Sequence, residues 1–392
     1  MNQNPQTDPY IEFVKQQSII NGRYTNLNRI GQGQFSFVMR ADDKQSDNAV
    51  AIKFLHPNVQ EVYRRQCFER EAKILGQLDG QKNILPLVEG LSTFNMTLRD
   101  NQISFPVSLL YFVIALAQSS LKDYIYEGSA TPTISLRYFR EVCKGVQRLH
   151  NLRYCHRDLK PDNFLISKRL LPSSKTSQRK RQTREIWLSD FGTARSLSDS
   201  AERFLQSYDF PVGDLRYAPV ELWCGLGNYP EMFYAADVFG LGAILFEMFT
   251  QSILTEYVFD RGILGNLLDL FRPLTAKERK DTFDKMLKSI TAQWRLPDIQ
   301  DLASDLPSPI AERINRLYKQ LAHLDYRKRM SRKDASGRLN FTPVFQEIDR
   351  CLKILEHQKA YEKLQARKRI YAENAKKKAE RRQKRMAGGY ES

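Results

Sequence analysis

Cysteine is scarce in this chain, and no two cysteines have the spacing of a metal or redox motif. Five occur among 392 residues, at positions 67, 143, 155, 224 and 351. Their odd number, their scatter and the absence of any C-x-x-C argue against a disulfide framework or a zinc knuckle. Because this usage suits a reducing compartment, we expect a cytoplasmic protein, or a nuclear one if the source is eukaryotic.

Long apolar runs are few as well, and no leader is expected. The longest apolar run covers residues 107–117, includes one serine, and is too short at 11 residues to span a bilayer. Residues 1–23 show no basic stretch followed by an apolar one, so neither secretion nor a transmembrane segment is predicted. With 42% hydrophobic residues the chain is not wholly disordered, and its length predicts a large two-lobed domain or two domains.

The net charge of +16 suggests a nucleic-acid-binding protein until the charges are located. Residues 168–184 carry seven Lys or Arg and no acid, and residues 356–386 carry twelve against four acids. These two basic segments account for 15 of the 16 net charges, so the rest of the chain is nearly neutral. The basicity therefore belongs to attached segments and not to the folded body.

Hydrophobic periodicity separates a strand-rich first third from a helical remainder. The polar residues 1–23 predict a flexible arm. Strands are predicted around a glycine turn at residues 24–38, over residues 50–55 and over residues 109–116, with a helix over residues 60–78. Apolar residues then recur at helical spacing. This order predicts an α+β protein with two lobes and a cleft between them.

Gly31 and Gly33 lie in a turn between two predicted strands, in the run G-Q-G-Q-F-S-F-V. Glycines there let backbone N–H groups approach phosphate closely, and Val38 can cover an adenine ring. A plain hairpin turn explains the same residues. A dinucleotide-binding motif needs a helix after the turn, and here a strand follows, which favours an ATP-covering hairpin.

Lys53 lies inside an apolar predicted strand, where an unpaired ammonium is strongly disfavoured. Glu71, on the inner face of the predicted helix, is the natural partner. The two residues are explained either by a structural ion pair or by a lysine held toward the phosphate oxygens of a nucleotide.

The most specific motif is H-R-D-L-K-P-D-N at residues 156–163. From one loop, Asp158, Lys160 and Asn163 can supply a base for a hydroxyl, a cation for a transferring phosphoryl group and an oxygen ligand for Mg²⁺. Asp190 opens D-F-G after a further predicted strand. A turn aspartate explains D-F-G in isolation, but its order after the octet favours a role in the same site.

In this order the motifs resemble those of the eukaryotic-type serine/threonine protein kinase family, over residues 24 to about 355. The resemblance implies a bilobal α+β fold with a small β-rich N-lobe (24–117) and a large helical C-lobe (118–355). The basic residues 168–184 would be an insert, and residues 356–392 a helical or disordered tail. ATP, Mg²⁺ and a protein substrate with serine or threonine are implied as ligands.

The resemblance also assigns roles to individual residues. Asp158 is the implied catalytic base and Lys160 the contact to the γ-phosphate, whereas Asn163 and Asp190 would bind Mg²⁺. The implied ATP-binding residues are Ile30, Gly31, Gly33, Val38, Ala51, Lys53, Glu71, Ala115 and Ala117.

Four more residues resemble structural positions of the family. Ile114 resembles the gatekeeper, Asp237 the helix aspartate that anchors the catalytic loop, and Glu221 with Arg329 the ion pair of the large lobe. The chain departs from the family at Asp214, where serine/threonine kinases have a threonine. A carboxylate there can pair with a lysine but repels a nearby aspartate, so this departure bears on substrate docking.

Three functions fit these features. An active kinase using Mg-ATP is the first, and a pseudokinase scaffold is the second, although it predicts the loss of a catalytic residue and none is lost. The third is a nucleic-acid-associated protein that acts through its basic segments, which we expect either to bind a polyanion or to be solvated without a partner. Arg157 and the nearby serines predict switching by autophosphorylation, while neighbouring acids favour constitutive activity.

Overall fold

The computed structural model describes residues 8–33, 35–57, 62–100, 103–128, 130–170, 182–197, 213–227, 229–303, 306–329 and 340–360, together with residues 367, 370 and 371.

An antiparallel sheet of five strands forms the N-lobe. Its strands are β1 (Tyr24–Gln32), β2 (Ser36–Asp43), β3 (Asn48–Leu55), β4 (Leu87–Asp100) and β5 (Ile103–Ala115). They lie in the order β1-β2-β3-β5-β4. The predicted strands are found, but β5 begins earlier than predicted and pairs along most of its length with β4, which periodicity did not predict.

Alternation along the strands gives this sheet two different faces. Val50 and Ile52 lie on the outer face in one apolar cluster, whereas Ala51 and Leu55 belong to the cluster that continues into the C-lobe. Because side chains alternate with a period of two, Lys53 shares the inner face with Ala51. The sheet therefore turns its only strongly basic β3 residue toward the cleft.

The prediction of a flexible arm over residues 1–23 is wrong from residue 8 onward. Asp8 caps helix α1 (Pro9–Lys15), which packs on the outer face of the sheet. Ile11 and Val14 are 2% and 0% exposed there. Two apolar residues three positions apart are too short a stripe to predict a helix, and the sheet supplies the missing stabilisation. The residues before Asp8 lie outside the described part of the chain.

Helices dominate the remainder of the described chain. They are α2 (Val62–Gln77), α3 (Leu121–Tyr126), α4 (Pro132–Asn151), α5 (Val220–Trp223), α6 (Pro230–Thr250), α7 (Leu254–Val258), α8 (Arg261–Phe271), α9 (Ala276–Ala292), α10 (Ile299–Leu302), α11 (Ser308–Leu321) and α12 (residues 342–360). Short strands accompany them: β6 (Ser119–Ser120), β7 (Tyr154–Cys155), β8 (Phe164–Leu170), β9 (Gln182–Leu188) and β10 (Arg195–Ser196). The predicted α+β fold with two lobes is confirmed.

Helix α6 is the central helix of the C-lobe. Its residues Met232–Thr250 are long and apolar enough to cross a membrane, but 83% of the most apolar window is buried inside the protein. Burial on all sides explains an apolar composition around the whole circumference of a helix. Asp237 and Glu247 interrupt the apolar sequence of this helix, which is why the longest apolar run of the chain does not lie here. Both carboxylates are buried.

The two basic segments lie mostly outside the described residues. Strands β8 and β9 pair from Phe164 and Leu188 out to Leu170 and Gln182, so the ends of the predicted 168–184 insert belong to a β-hairpin. Residues 171–181 between them are not described, and neither is most of the predicted tail. Helix α12 extends past the predicted boundary at residue 355.

Candidate active site

Lys53 forms a close ion pair across the cleft face of the N-lobe. Its Nζ lies 2.9 Å and 2.7 Å from the two carboxylate oxygens of Glu71 on α2, and 3.5 Å from Oδ1 of Asp190. Burial alone would lower the pKa of Lys53, but the charges of Asp190 and Glu71 outweigh it and raise that pKa above its ordinary value. The lysine is therefore a fixed cation that two carboxylates position from opposite lobes.

Asp190 reaches this pair from a strained turn at the end of β9. Its backbone is left-handed, with φ 62° and ψ 64°, an uncommon conformation for a residue with a side chain. The charge of Lys53 lowers the pKa of Asp190 and outweighs burial, so the carboxylate stays ionised. Arg70 on α2 donates to the carbonyl oxygen of Gly192 at 2.9 Å and holds the turn against that helix.

The loop over residues 156–163 is anchored from below by α6. The carboxylate of Asp237 accepts the backbone N–H groups of His156 at 2.8 Å and Arg157 at 2.7 Å. His150 Nε2 lies 2.8 Å from the same carboxylate. Burial would raise the pKa of Asp237, but these hydrogen bonds and the nearby histidines lower it. A buried, fully engaged anion thus fixes the loop, as the family resemblance implied.

Asp158 is held by three groups at the bottom of the cleft. Oδ1 accepts the backbone N–H of Asp214 at 2.7 Å, and Oδ2 accepts Nδ2 of Asn163 at 3.3 Å. The ammonium of Lys160 lies 3.5 Å from Oδ2. The structure therefore brings Asp158, Lys160 and Asn163 together from one loop, as the octet predicted.

The glycine turn closes the N-lobe side of the cleft. Gly31 pairs with Val38 across the β1–β2 hairpin, and the N–H of Gly33 donates to the carbonyl oxygen of Ser36 at 2.8 Å. A Cβ added to Gly31 or Gly33 would meet only ordinary contacts, 3.6 Å or longer, within the described chain. Since the fold itself leaves room for side chains there, the glycines are better explained by the close approach of a ligand.

The predicted adenine wall lies on the inner face of the same sheet. Ala51 pairs with Ile114, and both are buried below 8% exposure, while Ile30 is 51% exposed at the cleft entrance. The N–H of Ala115, the last residue of β5, donates to the carbonyl oxygen of Pro86 at 3.0 Å. Ala117 follows the strand and makes no backbone hydrogen bond within the described residues.

A known domain family covers most of the chain. The protein kinase domain matches residues 24–339. The chain belongs to the protein kinase family. This confirms the resemblance drawn from the motifs, the bilobal fold and the predicted enzyme class of this kinase.

Several curated kinases are similar to this kinase in sequence. It is 29% identical to cyclin-dependent kinase 15 of Danio rerio over 231 residues, 58% of this chain and 47% of that protein. It is 24% identical to extracellular signal-regulated kinase 2 of Dictyostelium discoideum over 379 residues, 92% of each chain. It is 26% identical to cyclin-dependent kinase 9 of Xenopus tropicalis over 313 residues, 77% of this chain and 74% of that protein. The alignment thus spans about half the length of the first relative.

The kinase departs from its family beside Asp158. Gly213 has φ +83°, and a Cβ there would lie 2.8 Å from the carbonyl oxygen of Arg157 and 2.9 Å from Oδ1 of Asp158. Only glycine fits this turn, which delivers the Asp214 N–H to Asp158. The Asp214 carboxylate lies 3.4 Å from Lys160 Nζ, so the predicted pairing with the lysine is found.

Two positioning side chains of the kinase were not predicted from the sequence. Arg216 donates to both oxygens of Asp214, at 3.1 Å and 2.8 Å. The guanidinium of Arg64 stacks 4.0 Å from the ring centre of Phe35 at the glycine turn. The D-x-R spacing of Asp214 and Arg216 is a local signal that could have been read, whereas the second contact joins distant parts of the chain.

Arg157 of the kinase is 2% exposed and has backbone partners on both sides of the undescribed segment 198–212. Its guanidinium donates to the carbonyl oxygens of Thr193 and Gly227, the latter at 2.7 Å. Four serines were predicted as phosphate acceptors. Ser196 is the last residue of β10, and the other three, at positions 198, 200 and 207, lie outside the described residues. Autophosphorylation as a switch therefore stays a prediction.

Glu221 and Arg329 form the predicted ion pair of the C-lobe, and both side chains are fully buried. The guanidinium also lies 4.9 Å from the ring centre of Phe239. It donates to three carbonyl oxygens, those of His323, Leu324 and Ala235. A buried pair with so many additional hydrogen bonds fixes the segment after Tyr217 beneath the cleft.

Proposed function

We propose that this kinase transfers the γ-phosphoryl group of Mg-ATP to serine or threonine hydroxyls of proteins, with Asp158 as the base. The observation that carries the proposal is the convergence of two charge clusters on one cleft. Lys53, Glu71 and Asp190 form the first, and Asp158 with Lys160 forms the second. Such clusters are what phosphoryl transfer requires, since most of its catalysis is positioning and charge stabilisation.

Each residue has a role that follows from its contacts. The Asp158 carboxylate would accept the proton of the substrate hydroxyl, and the Asp214 N–H and Asn163 hold it in one orientation. Lys160 would attract the transferring phosphoryl group, and Lys53 would hold the other phosphates. Ala115 and Ala117 offer backbone groups for adenine, and the glycine turn would cover the phosphates.

Asn163 and Asp190 fit a divalent cation. The Asn163 side chain spends its Nδ2 group on Asp158, so its carbonyl oxygen is left to bind a hard cation. Asp190 is ionised, and its side chain is 46% exposed toward the cleft. When bound there, Mg²⁺ would neutralise charge that develops on the transferring phosphoryl group.

Fewer observations support serine or threonine as the phosphate acceptor than support phosphoryl transfer itself. Lys160 occupies the position that resembles serine/threonine kinases, and curated relatives are named as cyclin-dependent and extracellular signal-regulated kinases. A pseudokinase scaffold is disfavoured because Lys53, Asp158, Asn163 and Asp190 are all present. The test is incubation with γ-labelled ATP, Mg²⁺ and mixed protein substrates, followed by mass-spectrometric mapping. Labelled serine or threonine supports the proposal. Label on tyrosine alone, or none with bound ATP, contradicts it.

We also propose a polyanionic partner for the basic segments, on charge alone. Fifteen of sixteen net charges lie there, and concentrated basic segments attract acidic surfaces. Engaging about six side chains on duplex DNA would give a log–log salt slope near −5. The test is a salt titration of binding to DNA, RNA and anionic vesicles. It compares the full chain with a chain that ends at residue 360. Equal or salt-insensitive binding by both chains would contradict a role for the tail.

We also propose a cytoplasmic location, which rests on the cysteine usage of the sequence alone.

A further inference from the structure

Asp214 places a second carboxylate directly beside the proposed base. Its backbone N–H donates to Oδ1 of Asp158 at 2.7 Å, so the two residues cannot separate without breaking that bond. Its side chain shares Lys160 with Asp158, at 3.4 Å and 3.5 Å from the ammonium nitrogen. One lysine thus faces two carboxylates, and one cation cannot neutralise both.

Arg216 supplies the missing charge. Its Nε lies 3.1 Å from Oδ1 of Asp214 and its Nη2 lies 2.8 Å from Oδ2, a two-bond pairing that its backbone N–H extends at 3.0 Å. Burial alone would raise the pKa of Asp214, but the hydrogen bonds from Arg216 and the charge of Lys160 hold that pKa at about 2. The carboxylate is therefore permanently charged, and its charge is directed to the arginine.

We propose that Arg216 is a positioning residue for catalysis: by neutralising Asp214 it leaves Lys160 and Asp158 to act on the transferring phosphoryl group and the substrate hydroxyl. The inference rests on the proposed function. In this inference the pair of Asp214 and Arg216 takes the place of the single uncharged threonine that serine/threonine kinases have at this position. Either charge without the other should lower activity, whereas the loss of both charges should be tolerated.

Other titratable groups lie near Lys160 and Arg216 and contribute to the electrostatic potential around them. Asp162 and Asp190 act on Lys160 through their charges, and Asp162 and Tyr217 act on Arg216. Two of these three neighbours are carboxylates and the third is a phenol. Asp162 has its own cation, Lys122, at 3.1 Å. Without Arg216, Lys160 would be the nearest remaining cation for Asp158 and Asp214 together. Its ammonium would then be drawn toward Asp214 and away from the transferring phosphoryl group.

The test compares Arg216→Ala, Arg216→Lys, Asp214→Thr and the double variant Asp214→Thr/Arg216→Ala in steady-state phosphotransfer, with kcat and the KM for ATP determined separately. We expect Arg216→Ala to lower kcat about tenfold and to leave the KM for ATP within about twofold of wild type, because Arg216 acts on Lys160 and Asp158 and not on the residues proposed to bind ATP. Arg216→Lys should recover part of the loss. The double variant should match Asp214→Thr within about twofold, because no uncompensated carboxylate is left.

Arg327→Ala is the matched control. Arg327 forms the same D-x-R pair with Asp325, through Nε and Nη2 at 3.0 Å each and its backbone N–H at 3.0 Å, and it is similarly exposed. Its loss should leave kcat and the KM for ATP unchanged. A loss in Arg216→Ala that appears in the KM for ATP and not in kcat, or an equal loss of kcat in the double variant, would overturn the proposal.

The outcome separates this inference from the proposed function. If the wild-type protein transfers no phosphoryl group, the proposed function fails before Arg216 is examined. If wild type is active and Asp158→Asn is not, but Arg216→Ala has the kcat and the KM of wild type, then only the inference about Arg216 fails.

Discussion

Replacing Glu71 by glutamine removes the charge that compensates Lys53 while it keeps the size of the side chain. The two charged groups approach to 2.7 Å, and their side chains are 15% and 5% exposed. At that distance their gross attraction is about 6 kcal/mol with an effective dielectric constant near 20. Desolvation offsets part of it, and breaking a buried pair typically costs about 3–5 kcal/mol. Because Asp190 still faces the lysine, we expect a loss of about 3 kcal/mol.

The assay is equilibrium unfolding in denaturant of Glu71→Gln, Lys53→Met and the double variant. Each single variant leaves one buried charge, whereas the double variant leaves neither charge of this pair, so its loss should be smaller than the sum of the two. Glu69→Gln on the same helix is the control, since Glu69 pairs with Arg65 in solvent and should lose less than about 1 kcal/mol. Additive losses in the cycle would refute the account of the pair.

The pH dependence of this pair follows from the direction of the Lys53 shift. A raised pKa means that its stabilisation is complete below the unfolded-state pKa of about 10.4 and is lost only as pH rises beyond it through the folded-state value. Burial raises the pKa of Glu71 to about 7, and without Lys53 this carboxyl would titrate higher still, so the reference is the double variant. The difference in unfolding free energy between wild type and Lys53→Met/Glu71→Gln should therefore stay constant between about pH 8 and pH 9. A steady decline over that range would show that the lysine is not held as a cation.

Further variants test the scaffold around the site. Gly213→Ala should abolish most phosphotransfer, because its Cβ would lie 2.8 Å from a backbone oxygen. Gly22→Ala is the control: Gly22 has φ +71°, but no atom lies within 4 Å of an added Cβ. This variant should lose only about 1 kcal/mol of stability and no activity. Equal effects of the two, measured by kcat and denaturant midpoint, would contradict this. Val14→Ala should lower the unfolding free energy by about 1–2 kcal/mol because the side chain is fully buried, and it should leave kcat unchanged. A stability equal to wild type would mean that α1 is not docked in solution.

The sequence predicted the site better than it predicted the scaffold. Lys53 and Glu71 could be paired because a lysine in an apolar strand needs a counter-charge, and the order of the motifs gave the rest of the cluster. The φ angles of Asp190 and Gly213 decide how those side chains meet, and no residue pattern specifies them. The Asp214 N–H bond to Asp158 could not be predicted either, since it depends on how a distant turn packs against the loop.

The missed scaffold elements share a physical cause. Helix α1 is stabilised by the outer face of the sheet and strand β4 by its pairing with β5, so the periodicity of each is weak. Helix α6 was predicted as a helix from the spacing of Val238, Leu241, Leu245 and Phe249, but its burial on all sides depends on the elements that pack around it. Tertiary contacts, which a single sequence does not display, therefore decided all three.

The most direct test of the central claim is single-turnover transfer of the γ-phosphoryl group to a serine peptide by wild type and Asp158→Asn, with ATP affinity measured in parallel. The substitution keeps the side-chain shape, and the Asp214 N–H can still donate to the amide oxygen. We predict transfer by wild type, a rate lowered by about 10²–10⁴-fold in the variant, and ATP affinity within about threefold of wild type. Equal transfer rates in the two proteins would contradict the assignment of Asp158 as the base.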